Sequence, residues 1–330
     1  MNLIKKSIIS TLAYGETRQW PFTFWEIFRY LTNPNRIEPE SKNIKISLLE
    51  LISYLDELKK DGIISEKNGF YFLRSKNLEK NIKKRITSDK ISDLKTKLIL
   101  RKIHYLSCLP FIRGILLSGS LVFGWSNQES DIDLLIVTEK KRIWTARFFL
   151  SGCLMLLGMK RTKKRIKNKL CLNHFISSEN LQVTLYSLYN AETYTRLVPL
   201  WLNEKLLKQF IGANSWTKDY VFWGFGKYYG DSRYFSGSYF QIFIQKIFEI
   251  AIQITGIGPV LEKLLKFWQI DRIKKDPLTN KEGGRVSFDN MQIEFHPNSP
   301  EKEAIDFYNN KLKSLGLFGF KPEENSGLKT

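Results

Sequence analysis

The spacing of apolar and polar residues changes several times along the chain, and each change marks an element. Leu48, Leu51, Ile52, Leu55 and Leu58 recur at helical spacing. Ser47 stands just before them with Glu50 three residues on, a pairing that satisfies the first free amides of a helix. Gly62 ends that helix. Ile63–Glu66 and Phe70–Leu73 then flank Asn68-Gly69, a dipeptide suited to the positive φ angles of a tight hairpin. Upstream, Phe22–Leu31 predicts a helix stopped by Asn33-Pro34. Residues 76–104 are polar and basic, and they predict a helical connector. Leu94, Leu98 and Arg101 lie on one side of it, which is expected to pack on the core domain. Gly114–Leu117, the run opened by Asp131, and Leu170–Ile176 have the length and residue types of strands, and the apolar stretch Arg142–Leu157 is the helix between the last two. Leu181–Leu207 and Phe240–Phe267 predict long aromatic-rich helices. Gly224–Tyr239 reads as a loop of glycines and aromatics, and Met291–His296 as a short strand ended by Pro297.

These elements divide the chain into five parts: a small domain at 1–75, the connector at 76–104, a core at 105–180, a helical region at 181–320 and a disordered tail at 321–330. The fold class is α+β, with a mixed sheet in the core. A helix followed directly by a hairpin resembles a winged helix–turn–helix domain in shape. Lys59, Lys60 and Lys67 would be its phosphate contacts, although such modules also serve as plain packing units.

Composition adds a bias in partner. The 330 residues carry 52 Lys and Arg against 33 Asp and Glu, a net charge of +19. That excess favours anionic partners: nucleic acid, nucleotide phosphates or acidic lipid. A Lys-, Ile- and Asn-rich sequence is equally what an AT-rich genome would encode. Three cysteines, Cys108, Cys153 and Cys171, make no disulfide framework and fit a reducing cytoplasm. The first twenty residues have no clear cleavage site. The longest charge-free apolar stretches, Phe148–Met159 and Ile250–Leu261, are too short for a transmembrane segment, which takes ~20 residues. Oligomeric state is not legible.

The chemistry is concentrated in residues 117–139. Gly119-Ser120 follows the first core strand, and after ten further residues Asp131-Ile132-Asp133 opens the second. Alternation on a strand puts both carboxylates on one face and Ile132 on the other. Adjacent carboxylates bind hard divalent cations such as Mg2+. Gly119 permits a tight turn, and a helix start beyond it would offer amides to phosphate. This pattern, Leu117-Ser118-Gly119-Ser120 through Asp131-Ile132-Asp133-Leu134, resembles the nucleotidyltransferase superfamily that includes DNA polymerase beta. The resemblance covers residues 112–177. It implies a polymerase-beta-like core and Mg2+-dependent transfer of a nucleoside monophosphate from a nucleoside triphosphate (ATP among them) to an acceptor hydroxyl. Asp131 and Asp133 would then hold the metals, with Ser118, Gly119 and Ser120 seating the phosphates.

Two further segments bear on that expectation. Residues 160–169 are the densest basic run. If the third strand runs parallel to the second, the run reaches the rim of the site, where Lys163 and Lys164 would grip a triphosphate or polynucleotide. Many superfamily members place a third carboxylate on the third strand; here that strand reads Cys171-Leu172-Asn173-His174-Phe175. Alternation lets only one of Asn173 and His174 face the aspartates: Asn173 is expected there as a weak Mg2+ ligand, with His174, the better base, as the alternative. Leu172, His174 and Ile176 would pack toward the crossover helix, and Cys171 and His174, on opposite faces, would not share zinc. Glu179 is a substitute acid just past the strand. A nucleotide- or nucleic-acid-binding protein that keeps the fold without a full metal site is the alternative. A basic, aromatic peripheral membrane protein is a third class.

Overall fold

A computed structural model of the chain describes residues 1–38, 44–74, 77–225 and 239–317. Residues 226–238 of the predicted glycine–aromatic loop and the 321–330 tail lie outside the described residues. The N-terminal module contains α1 (Leu3–Glu16), β1 (Phe22–Thr23), α2 (Phe24–Arg29), α3 (Leu48–Lys60), β2 (Ile64–Lys67) and β3 (Phe70–Leu73). Its sheet has the order β1-β3-β2. The capping box of α3 is present: Glu50 N donates to Ser47 Oγ (3.2 Å) and Ser47 N donates to Glu50 Oε2 (2.8 Å). Asn68 and Gly69 take φ angles of 56° and 77°, which close β2 onto β3. Leu51, Leu55 and Leu58 are buried, whereas Leu48 and Ile52 are exposed. The helix expected at Phe22–Leu31 starts later. Phe22 and Thr23 pair with β3, and Thr23 caps α2 through Glu26 in a second capping box.

Next comes α4 (Leu78–Leu100), the expected connector helix, followed by α5 (Ile103–Ser107). Of the predicted inward residues of α4, Leu98 packs on the core, whereas Leu94 and Arg101 are exposed. Arg85, Ser88, Ser92 and Lys95 are buried instead, between Ile82 and Ile99. The helix is docked through polar contacts: Arg85, aligned by Asp89 one turn along α4 (2.7 Å), pairs with Glu26 (2.8 Å), and Lys95 Nζ donates to Ser130 Oγ (3.0 Å). Apolar spacing therefore marked its buried side only in part.

The main sheet comprises β4 (Ile112–Ser118), β5 (Ile132–Thr138), β6 (Leu170–Ser177), β7 (Val198–Leu202), β8 (Arg285–Phe288) and β9 (Gln292–His296), in the order β7-β4-β5-β6-β9-β8. The sheet is mixed: β5 and β6 are parallel, joined by the crossover helix α6 (Ile143–Leu156), and the other pairs are antiparallel. Ile115, Leu117, Ile132, Leu134, Ile136 and Phe175 pack with α5, α6 and Ile273 of α10 (Gly258–Lys275). Leu116, Leu135, Val137 and Ile176 pack on the other side with α7 (Leu188–Tyr194) and α8 (Glu204–Ala213).

The 181–320 region departs from the expected long helices and is not purely helical: it supplies three strands of the main sheet, β7, β8 and β9. Pro199 cannot donate a helical hydrogen bond, so the chain leaves α7 and enters edge strand β7, where proline is tolerated. Asn203 Oδ1 then caps α8 by accepting from Leu206 N (2.8 Å). The second long helix breaks at Gly256 (φ 64°) into α9 (Tyr239–Ile254) and α10, bent by 97°. Arg285 is buried between Glu294 and Glu301. Finally α11 (Glu301–Ser314) returns to the N-terminal module, where Tyr308 OH and Ser10 Oγ share a 2.6 Å hydrogen bond.

Candidate metal and phosphate site

β4 and β5 bring the two halves of the motif together. Their antiparallel register sets Ser118 beside Asp133. Gly119 comes next at φ 64°, and a Cβ there would lie 2.2 Å from Asp133 Oδ2. The position thus needs glycine twice, for its backbone and for the carboxylate lying against it. A 3-10 turn spans Gly119–Leu121, rather than the helix expected to offer its amides. Ser118, Gly119, Ser120, Asp131 and Asp133 all line one cleft.

β6 completes the floor through an irregularity. Cys171 pairs with Asp133, but His174 pairs with Leu135, so three residues of β6 advance against two of β5. Such a bulge breaks alternation. Asn173 Nδ2 donates to Asp133 Oδ1 (2.9 Å). Cys171 also faces the acids: its Sγ and one oxygen from each of Asp131 and Asp133 lie within 4.8 Å of one another. The third group at the aspartates is therefore a thiol, with Asn173 as a hydrogen-bond donor beside it. His174 turns away, 3.3 Å from Tyr194 OH and 3.5 Å from Glu294, and burial holds its pKa below the usual range. The expected packing of β6 is corrected by the same bulge. Of Leu172, His174 and Ile176, Leu172 packs on the α6 side; Phe175 joins it there, while Ile176 joins the opposite core. Glu179 lies past the far end of β6, roughly 20 Å along the strand from Cys171, so it is no substitute acid.

Two carboxylates and a thiol meet one guanidinium, that of Arg161, on the floor, and further cations line the cleft. Burial, and then the neighbouring Asp131, push the Asp133 carboxyl up to about 7. Burial also raises the Cys171 thiol well above its ordinary value. Asp131 Oδ2 is buried and accepts no aligned hydrogen bond; Arg161 Nε lies 3.0 Å away, and Arg161 Nη1 donates to Cys171 Sγ (3.2 Å). Arg161 sits at the start of the predicted basic run, yet its role was missed because the run has no internal signal of which cation reaches inward. Lys163 lines the cleft and lies 3.8 Å from Asp276, whereas Lys164 does not line it.

The cleft above this floor holds about 1390 Å³. Arg18, Lys83 and Lys84 form one wall, with Trp20, Phe123 and Trp125 beside them; Arg147, Lys160, Arg161, Lys163 and Arg272 stand across it. Arg147 is so enclosed that burial, with Arg272 nearby, lowers its pKa to about 10. A polyanion entering here would relieve that crowding of cations. Comparison of the chain with protein-family models, curated proteins and solved structures finds no match.

Proposed function

We propose that the protein is a nucleotidyltransferase, moving a nucleoside monophosphate from a triphosphate to an acceptor hydroxyl with Mg2+ in the site: the hydroxyl oxygen bonds the α-phosphorus as its proton leaves, and the α–β bond breaks to release pyrophosphate. The observation that carries this reading is the paired Asp131 and Asp133 on the floor of a cleft with basic walls. The residues fit a hard cation: Asp131 Oδ2 is buried without an aligned hydrogen bond, and burial and the neighbouring Asp131 push the Asp133 carboxyl up to about 7. Bound between these carboxylates, Mg2+ would neutralise phosphate charge and lower the pKa of the attacking hydroxyl.

The chain's own residues supply position and field. Gly119 leaves room for the Asp133 carboxylate. Ser118 and Ser120 offer hydroxyl donors on the phosphate side. Arg161, beside Asp131 and Cys171, would be placed to receive a phosphate oxygen were Asp131 to hold a cation. Lys160, Lys163 and Arg272 draw the triphosphate from one wall. Arg18, Lys83 and Lys84 lie on the other, where an anionic acceptor would sit. The reading carries with it a polymerase-beta-like core and a winged-helix-like N-terminal module. Direct nucleic-acid reading by α3 has poor support, since Glu50, Asp56 and Glu57 share its exposed surface with Lys59 and Lys60. Lys59 and Lys67 are engaged by Glu66 and Glu79. A packing role suits this module better.

One observation favours a second reading. Where a third carboxylate would serve a two-metal site, this chain has the Cys171 thiol, its pKa pushed up by burial, and Asn173, which donates to Asp133. A protein binding Mg2+–nucleotide without transfer is consistent with that arrangement. The test is incubation with each α-labelled triphosphate, Mg2+ and fractionated cell lysate. Label transferred to RNA, protein or a small molecule supports the enzyme. Nucleotide binding without transfer supports the second reading.

A further inference from the structure

Two helices, α9 and α10, turn polar groups inward and large apolar groups outward, the reverse of a helix at a soluble surface. On α9, the buried Gln245 donates through Nε2 to the carbonyls of Leu109 and Ile112 (2.8 Å each). Glu249, also buried, accepts from Phe111 N (2.6 Å) and pairs with Arg113 (2.8 Å). On α10, Glu262 accepts from Trp144 N (3.0 Å) and Thr145 N (2.9 Å), and Gln269 Nε2 donates to the Trp144 carbonyl (2.9 Å). Ile252, Leu265, Ile270 and Ile273 pack inward with them, but the largest apolar side chains point the other way. Phe248 and Ile254 of α9, Leu264 and Phe267 of α10, and Leu156 ending α6 are all exposed, Ile254 by 80% and Leu156 by 91%. The helices adjoin: Phe148 of α6 meets Trp268 of α10 with ring centroids 6.0 Å apart.

Charge on this face has one sign. From Phe240 to Trp268 the fully exposed charged residues are Lys246 and Lys263; the carboxylates of the stretch, Glu249 and Glu262, are the inward groups just described. An apolar face edged by lysines on a chain of net charge +19 complements an acidic lipid surface. A second copy would bring like charges together.

We infer that α9, α10 and the end of α6 form an interfacial docking surface for an anionic phospholipid bilayer. The surface lies on the membrane and does not span it. No single described helix is long and apolar enough to cross, and the α9–α10 pair is bent by 97°. The inward hydrogen bonds of Gln245, Glu249, Glu262 and Gln269 hold both helices to the sheet and α6, leaving their apolar sides to lipid. Lipid docking of this face does not depend on the reaction proposed above.

Flotation of the full chain with vesicles tests it. Wild type should float with phosphatidylcholine–phosphatidylglycerol vesicles, lose at least ~10-fold in affinity on pure phosphatidylcholine, and weaken as salt rises. Phe248→Glu, Leu264→Glu and Phe267→Glu together should abolish flotation, with folding checked by circular dichroism. Should that variant misfold, Lys246→Glu with Lys263→Glu, both at exposed positions, should alone weaken binding at least ~10-fold. Light scattering of wild type should give a monomer. Failure of wild type to float on anionic vesicles overturns the inference. So does affinity unchanged by the lysine reversals, or a wild-type dimer that the apolar substitutions disperse, which would assign the face to a second copy.

Discussion

At the residue scale, the site depends on a few atoms whose neighbours leave little freedom. Gly119→Ala should cost about 1–2 kcal/mol from the left-handed backbone alone. Its methyl would also collide with Asp133 Oδ2, so the carboxylate must move. The expected outcome is a lower melting temperature together with weaker Mg2+–nucleotide binding; retention of both would show that Asp133 is not held by this turn. Asn173→Asp gives a signed prediction. A carboxylate beside Asp133 should lower stability without Mg2+, because two like charges would share the position now held by a 2.9 Å hydrogen bond. With Mg2+ it should raise stability or turnover. Melting curves with and without the ion distinguish the two effects. Gly119, Asp131 and Asp133 were legible from sequence because their spacing is chemical. Alternation put Cys171 on the face of Asn173, but its place directly beside Asp133 depends on the register of β6 against β5, which has no local signal.

At the element scale, the parallel β5–α6–β6 unit brings the basic run 160–169 to the rim of the site, a placement that in the sequence alone hangs on an unknown strand direction. Within the run, geometry ranks the cations. Arg161→Ala should weaken triphosphate binding more than Lys163→Ala, and Lys164→Ala least, as titrations at two salt concentrations would measure. Flatter salt dependence should accompany the loss. Equal effects of all three would reduce the run to a diffuse positive field. The misplaced elements have specific causes. Pro199 turns a predicted helix into an edge strand, and Gly256 splits another. Most of the buried face of α4 escaped prediction because Arg85 and Lys95 make its contacts. Capping boxes and the Asn68-Gly69 turn were readable because each satisfies its hydrogen bonds or backbone angles within a few residues.

At the scale of the whole molecule, the chain closes on itself. Helix α11 packs beside α1, with Tyr14 and Tyr308 edge to face at 6.1 Å. Ile305, Tyr308 and Leu312 share one core with residues of α1, α2 and α3. This long-range closure has no local signature, so dividing the sequence into successive parts could not find it. Tyr308→Phe should cost about 1 kcal/mol through the lost bond to Ser10, and Tyr308→Ala about 3–5 kcal/mol through the cavity. Denaturant midpoints check both, and a neutral Tyr308→Ala would mean that α11 is not part of that core. The same closure sets the N-terminal module against the main sheet and makes a cleft with basic groups on both walls.

The proposed chemistry turns on whether Asp131 and Asp133 hold a cation that a triphosphate requires. Calorimetric titration of a non-hydrolysable triphosphate, with Mg2+ and with a chelator, into wild type, Asp131→Asn and Asp133→Asn tests this most directly. Wild type is expected to bind only with Mg2+, and each variant, folded as judged by circular dichroism, to lose at least ~100-fold in affinity. Binding that persists in the chelator, or that both substitutions leave at the wild-type level, would contradict the metal-dependent reading of the site.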